Sequence, residues 1–450
     1  MKKTICIILA LIFLLSVVSC DGTKQESGSN TVSTQTDEKE TVKTENETTT
    51  ELFETTEIET KTEESEDTTT VSETETTASE TETTTSESET VTSEIETTET
   101  ESETETEAVK NISAVEPAEG AEIVLANDTI YNWWKNYNWK KDASAEYYLH
   151  LDQYYPNKVY LKWDCKVEAK YFRVRVSRNV DLSEAENYVT NTTELELKAP
   201  YVSSTYYWQV DAVCEDVTVR SAIFSFKTAE SPRCFEIEGV SNTRDIGGYE
   251  MNNGYRIKQG MIYRGGKLDT ITEAGKEHFR NDIGIKTDLD LRTPGEGGAG
   301  SGSPLGKDIN YVNINGRYYV GGMGIQSDEG KAVFAEEIRL FANPDNYPIY
   351  IHCSLGRDRT GTLAFVLEAL LGADVSYLIM DYELSVFSVT GTLDNASVAA
   401  IKSNIQATFD YIKTFRGSGI AEKTENYLLS IGITAEEIQA IRDILLEEVK

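Results

Sequence analysis

Cys353 and Arg359 stand six residues apart in the run Tyr350-Ile351-His352-Cys353-Ser354-Leu355-Gly356-Arg357-Asp358-Arg359-Thr360-Gly361. A thiol becomes a strong nucleophile only as the thiolate, so its surroundings must stabilise negative charge. A short loop that turns through Gly356 and opens a helix supplies that environment. The N–H groups of Ser354, Leu355, Gly356 and Arg357 converge, with the positive end of the helix behind them. Such a cradle favours anions twice, as the Cys353 thiolate and as a bound oxyanion. Arg359 returns a planar fork of donors to the same point and pairs with two oxygens at once, which a lysine would not do. The chemistry that this spacing points to is nucleophilic attack on an anionic centre such as a phosphoryl group.

The elements that must hold this loop are legible on both sides of it. Pro348–Ile351 is an apolar strand, and the helix that follows carries Leu363, Phe365, Val366 and Leu370. Across 236–450 short apolar runs alternate with helical patterns. Met261–Arg264, Lys286–Leu291, Tyr311–Ile314 and Ile349–His352 read as strands. Thr272–Asn281, Glu329–Ala342, Arg359–Leu371, Tyr377–Ser385, Ala399–Phe415, Ala421–Ser430 and Ala435–Val449 read as helices. Strands buried between helices predict an α/β layer fold with a central, mostly parallel sheet.

The run His352-Cys353 to Arg359-Thr360-Gly361 resembles the signature H-C-x5-R-[ST]-G of the cysteine-dependent phosphatases, and it matches at every defined position. Gly239–Tyr249, Met261–Gly266 and Asp288-Leu289-Asp290-Leu291-Arg292-Thr293-Pro294-Gly295-Glu296 look like the motifs of the bacterial tyrosine phosphatase family 3. The helix with Asp381-Tyr382 fits as well. The resemblance implies phosphomonoester hydrolysis through a phosphocysteine: Cys353 attacks phosphorus, Arg359 and the loop amides hold the oxygens, and Thr360 stabilises the departing thiolate. It implies a phosphorylated protein or small phosphomonoester as substrate, with phosphotyrosine, phosphoserine/threonine and phosphoinositides all within the family's range. Arg357 departs from the family's usual lysine and alters the geometry there. Asp358 is either the general acid or a brace for the loop. Asp290 is a second acid candidate, with pairing to Arg292 as the alternative. His352, Arg244, Asp245 and Arg264 are expected to support the loop and pocket. No cofactor is expected, and three histidines in all (His150, His278 and His352) argue against a metal cage.

Upstream, 111–230 shows strand-like alternation in Tyr171–Ser177, Glu194–Lys198, Tyr206–Cys214 and Ser221–Lys227, which predicts a β-sandwich. All five tryptophans (Trp133, Trp134, Trp139, Trp163 and Trp208) lie here. With Trp163 as an early core residue and Tyr206-x-Trp208-x-Val210-x-Ala212 as a late strand, the segment resembles a fibronectin type III domain. Cys165 and Cys214 share the parity of the core tryptophans, so either a disulfide across the sheets or two buried thiols is expected. The Trp133–Trp139 cluster either covers the end of a core or stacks on sugars of a wall or carbohydrate partner. The domain boundary is placed at 231, with 231–450 as the phosphatase-like domain.

The N-terminus reads as an address. Lys2 and Lys3 precede an apolar run from Ile5 to Val18, short for a membrane span but suited to a secretory signal. It ends in Val17-Val18-Ser19-Cys20, which resembles the bacterial lipobox and implies lipidation of Cys20, with residues 1–20 as signal peptide. Residues 21–110 hold 30 threonines and 28 carboxylates against 5 cations. Such a stretch cannot bury enough apolar surface to offset its ordering entropy, so a disordered linker is expected. Together these predict a lipid-anchored protein on the outer face of a bacterial cell membrane. The whole chain carries −35, of which −23 belongs to this linker, and the acidic balance argues against nucleic acid as a partner. Two further classes are open. One is a surface binding or adhesion module that captures phosphorylated ligands, against which the intact Cys353/Arg359 pair argues. The other is sulfur transfer on a rhodanese-like loop, against which the spacing and Thr360-Gly361 argue.

Overall fold

The structure, a computed structural model, describes residues 111–138, 155–316, 324–388 and 395–449. The signal segment 1–20 with Cys20, the linker 21–110 and Trp139 lie outside the described residues. Among these residues no helix is long and apolar enough to cross a membrane.

Nine strands come first: β1 (Ile112–Glu116), β2 (Ala121–Ile123), β3 (Val159–Cys165), β4 (Tyr171–Ser177), β5 (Glu186–Thr190), β6 (Glu194–Leu197), β7 (Ser204–Val213), β8 (Thr218–Arg220) and β9 (Phe224–Thr228). They make two sheets, β1-β3-β6 and β2-β9-β7-β4-β5, with β8 added to β7. Alternation puts one side of each strand inward. Leu161 and Trp163 from the first sheet meet Val174, Trp208, Val210 and Phe226 from the second in one buried cluster. The indoles of Trp163 and Trp208 lie 6.3 Å apart at its centre. Cys165 and Cys214 are free and only half buried. Each sits at the end of its strand or just beyond it, and each thiol turns to a nearby carbonyl, Val167 O at 3.4 Å and Ala212 O at 3.8 Å.

The α/β domain follows, with strands β10 (Arg244–Asp245), β11 (Tyr255–Ile257), β12 (Ile262–Gly265), β13 (Thr287–Asp290), β14 (Asn310–Asn313), β15 (Ile349–His352) and β16 (Leu446–Glu448). Its central sheet runs β10-β12-β15-β13-β14. β12, β15, β13 and β14 are mutually parallel, and β10 is an antiparallel edge on β12. All four residues of β15 are buried, and its alternation feeds two cores. Ile349 and Ile351 face a large cluster with Leu363, Phe365 and Leu370, while Tyr350 faces a smaller one with Phe279 and Tyr263.

In chain order the helices are α1 (Asp128–Lys135), α2 (Glu273–Glu277), α3 (Asp328–Leu340), α4 (Asp358–Leu371), α5 (Val375–Leu384), α6 (Asn395–Ile412), α7 (Ile420–Ser430) and α8 (Ala435–Leu445). Helix α4 is buried from Thr360 through Leu371, so it is the axis of the domain. α8 ends at Leu445, where the helical period stops. Leu446–Glu448 then extends and pairs with β11, in place of the helix expected to Val449.

Helix α1 corrects the expected boundary. Its Ile130 and Trp133, with Ala126 just before it, belong to the large core of the α/β domain. Trp133 packs edge-on against Phe387 at 5.0 Å, and Tyr137 Oη donates to Glu383 at 2.8 Å. Burial also takes Trp133 away from any sugar-stacking role.

Candidate active site

The site grows from the C-terminal ends of β13 and β15, where the loops of a parallel sheet converge. Cys353 leaves β15 and is 3% exposed. The chain then turns at Gly356, whose φ of +66° and close approach to the Gly265 carbonyl exclude a Cβ. Helix α4 begins at Asp358 after Arg357, with no side chain capping its first amides. Those uncapped N–H groups are the anion-binding end of the domain's most buried helix.

Burial alone would push the Cys353 thiol up. The Thr360 hydroxyl, the Arg359 guanidinium and the amides of Thr360 and Leu355 outweigh it, and the thiol is held below its ordinary range. Thr360 Oγ1 is buried, and its hydroxyl is the first of the groups that lower the Cys353 thiol. Because the pKa is lowered, the thiolate should persist to more acidic pH than an ordinary cysteine. Alkylation of Cys353 by iodoacetamide, followed by mass spectrometry, should show a midpoint below about 8.5. A midpoint at or above that value would contradict this electrostatic arrangement.

Arg359 is fixed by a partner to which the sequence reading gave no role. Its Nη1 and Nη2 donate to the two carboxylate oxygens of Glu296 at 2.9 and 2.8 Å. Nη1 also reaches the Leu291 carbonyl and Nη2 the Ser354 hydroxyl, both at 3.3 Å. Ser354 Oγ in turn donates to Glu296. The hydrogen bonds from Arg359 pull the Glu296 carboxyl down to about 2 despite partial burial, so it is anionic throughout the physiological range. Its signal was the Thr293-Pro294-Gly295-Glu296 turn just past β13, at the sheet edge where site residues gather.

The remaining loop contacts form a lattice behind the cradle. Arg264 Nη2 donates to the Gly356 carbonyl at 2.8 Å, and Arg264 Nη1 pairs with Asp381. Arg244 Nε donates to the other Asp381 oxygen at 2.7 Å. Asn242 Nδ2 reaches the Leu355 and Gly356 carbonyls at 3.0 and 3.1 Å and the Ser385 hydroxyl at 3.2 Å. Arg244 and Arg264 thus brace the loop from below, together with Asn242 and Asp381. Asp245 does not. Neighbouring residues of β10 point to opposite sides, so Asp245 turns away and pairs with Arg233 at 2.5 Å and with the amides of Gly247 and Gly260.

The two acid candidates are both engaged. Asp290 is fully buried, clasped by Arg292 at 2.8 and 2.9 Å and by Tyr311 Oη at 3.0 Å. Asp358 takes Arg357 on one oxygen and Tyr382 Oη (2.8 Å) and Asn404 Nδ2 (3.1 Å) on the other. Burial raises its pKa, but Arg357 and these donors outweigh it, and the carboxyl lies below its usual range. His352 lies 2.9 Å from Asp288 and sets Nδ1 3.3 Å from the Cys353 carbonyl. Among the described residues no His, Cys, Asp or Glu group could hold a metal ion.

Residues 235–447 match the model of the tyrosine phosphatase family. The chain is 26% identical over 224 residues to a tyrosine-protein phosphatase of Nostoc commune, spanning 41% of this chain and 74% of that protein. It is 24% identical over 164 residues to the Cupriavidus necator protein H16_A0669, which carries a tyrosine-protein phosphatase name; that alignment spans 32% of this chain and 59% of the relative. Among solved structures it is similar to the core catalytic domain of the PP-IP phosphatase SIW14 from S. cerevisiae, at 17% identity and a TM-score of 0.23, over 34% of this chain and 83% of that one.

Proposed function

We propose that the chain is a protein-tyrosine or dual-specificity phosphatase working through a phosphocysteine, a reading supported by the match of residues 235–447 to the tyrosine phosphatase family model and by its relatives named as phosphatases. The observation that carries this reading is a buried cysteine ahead of an uncapped helix with Arg359 in the same loop, an arrangement that favours the thiolate. The substrate's phosphoryl oxygens occupy the amide cradle, and Arg359 turns its Nη donors from Glu296, Leu291 and Ser354 toward them. The Cys353 sulfur attacks phosphorus in line, the P–S bond forms and the P–O bond breaks. Water then attacks the phosphocysteine, phosphate leaves, and the Thr360 hydroxyl stabilises the returning thiolate.

We assign Asp358 to locking the loop, since both of its oxygens are held and its pKa lies low. This favours phosphotyrosine as substrate. A phenolate leaving group, with a conjugate acid near pKa ~10, asks far less of a proton donor than a serine alkoxide does. The same proposal includes the setting. Cys20 carries a lipid, residues 21–110 are a spacer, and the two-sheet module is a fibronectin type III-like sandwich at the outer face of the cell membrane. The shared tryptophan core of the two sheets supports that last element.

The test is turnover of an aryl phosphate and a phosphotyrosine peptide by the full chain in chelator, with an acid quench and peptide mapping. Hydrolysis with a phosphate adduct on the Cys353 peptide is expected. Turnover without that adduct would overturn the covalent mechanism, and no turnover would overturn the enzymatic reading.

A further inference from the structure

Beside the loop lies a cavity of about 900 Å³ that the proposed chemistry does not use. It is walled on one side by the β module, at Tyr155–Lys158 and Glu196–Lys198, and on the other by the Arg233–Asn242 segment of the α/β domain. Two residues of the loop itself, Ser354 and Leu355, line the same cavity. Leu355 is 42% exposed and Tyr155 is 51% exposed. The cavity therefore extends from Ser354 and Leu355 of the loop to the β module, with Leu355 and Tyr155 as exposed apolar contacts.

The charges along this cavity are unbalanced. Every lysine or arginine that lines it is already in a salt bridge. Lys158 and Lys198 both pair with Glu196, at 3.6 and 2.6 Å. Lys267 pairs with Asp269 at 3.2 Å, and Arg233 is buried against Asp245. Four carboxylates that line it, Glu236, Glu238, Glu277 and Asp282, are exposed and make no salt bridge among the described residues. Lys158 and Lys198 share one carboxylate, and Lys198 also lies near Asp282, yet against these four carboxylates the wall beside Ser354 and Leu355 stays net negative.

We infer that this cavity is a substrate-selecting groove, and that its occupant is a phosphorylated polypeptide with Lys or Arg close to the phosphorylated residue. The inference rests on the phosphatase reading above and narrows it. The cradle takes the phosphoryl dianion, Leu355 and Tyr155 give apolar contact, and the carboxylates attract the basic flank. The same field disfavours small polyanions, whose extra phosphates would face Glu236 and Glu238. Complementary charge of this kind acts mainly on encounter and on discrimination between partners, and salt screens it.

The experiment compares kcat/KM of the full chain for two phosphotyrosine peptides of one length, flanked by Lys in one and by Glu in the other, with 4-nitrophenyl phosphate as the uncharged-flank reference. At low ionic strength the Lys-flanked peptide should be favoured by about tenfold or more. The ratio should fall toward unity in 0.5 M salt, since the screening length there is well below 10 Å. It should also collapse in Glu236→Lys/Glu238→Lys, both exposed positions, while turnover of 4-nitrophenyl phosphate stays as in the parent. The salt series on the parent chain reads the groove even if the double variant misfolds. Equal kcat/KM for the two peptides at low salt, or a preference that neither salt nor charge reversal alters, would overturn the groove while leaving the phosphatase reading intact. Loss of 4-nitrophenyl phosphate turnover in the parent would remove both.

Discussion

Cys353→Ser should lose kcat on aryl phosphates by a factor on the order of 10⁴ or more, since losing a nucleophile costs about as much as losing the whole catalytic unit. Serine keeps the size and the buried position at the end of β15. It cannot keep the charge. The Thr360 hydroxyl, Arg359 and the loop amides favour the anionic form of a thiol, whereas a serine hydroxyl under the same influence stays protonated. The cradle itself is built from backbone and Arg359, so phosphate binding should survive. Titration of the variant with inorganic phosphate should therefore give an affinity close to the parent's. Residual turnover within tenfold of the parent would show that another group attacks phosphorus. Loss of phosphate binding would show that the substitution had disturbed the loop.

The second large effect concerns folding. Asp381→Ala should destabilise the domain by about 3–5 kcal/mol, the range for removing one partner of a buried ion pair. Arg244 and Arg264 are 1% and 0% exposed, and each spends donors on this one carboxylate. Burial pushes the Asp381 carboxyl up, but the two guanidinium groups outweigh it and hold it below the ordinary aspartate range. Its contribution is therefore in place at neutral pH and drains away only as pH falls below that range. Urea unfolding at pH 7 measures the loss, and a shift under 1 kcal/mol would show that the two arginines find other partners. Because Arg264 also holds the Gly356 carbonyl, any folded variant should bind inorganic phosphate more weakly.

Some of this was open to reading in the chain and some was not, for a physical reason. The Cys353–Arg359 loop is a local object: seven residues fix the turn, the donors and the nucleophile together, and a buried strand and helix announce themselves by composition. The lattice behind it is assembled from distant parts. Arg244 and Asp381 are 137 positions apart, and Arg359 and Glu296 are 63 apart. No periodicity links such residues, and Glu296 was visible only as the end of a motif. Asp245 stands beside Arg244 in the chain, yet a two-residue strand sends neighbours to opposite faces. β10, β11 and β16 are two or three residues long, too short for alternation to register. The segment of helix α1 falls within the 111–230 module by sequence position, which says nothing about which core an amphipathic helix will choose.

That choice bears on how the molecule can be taken apart. A chain cut at residue 231 would keep every residue of the loop and every strand of the central sheet, and would look complete on paper. It would also carry a raw apolar scar, vacated by Ala126, Ile130 and Trp133, beside Phe387 and close to Ser385, the anchor of Asn242. Exposed patches of that kind are where truncated proteins stick to one another. The smallest piece that keeps its own skin therefore begins well upstream of the apparent boundary, and it takes the β module with it.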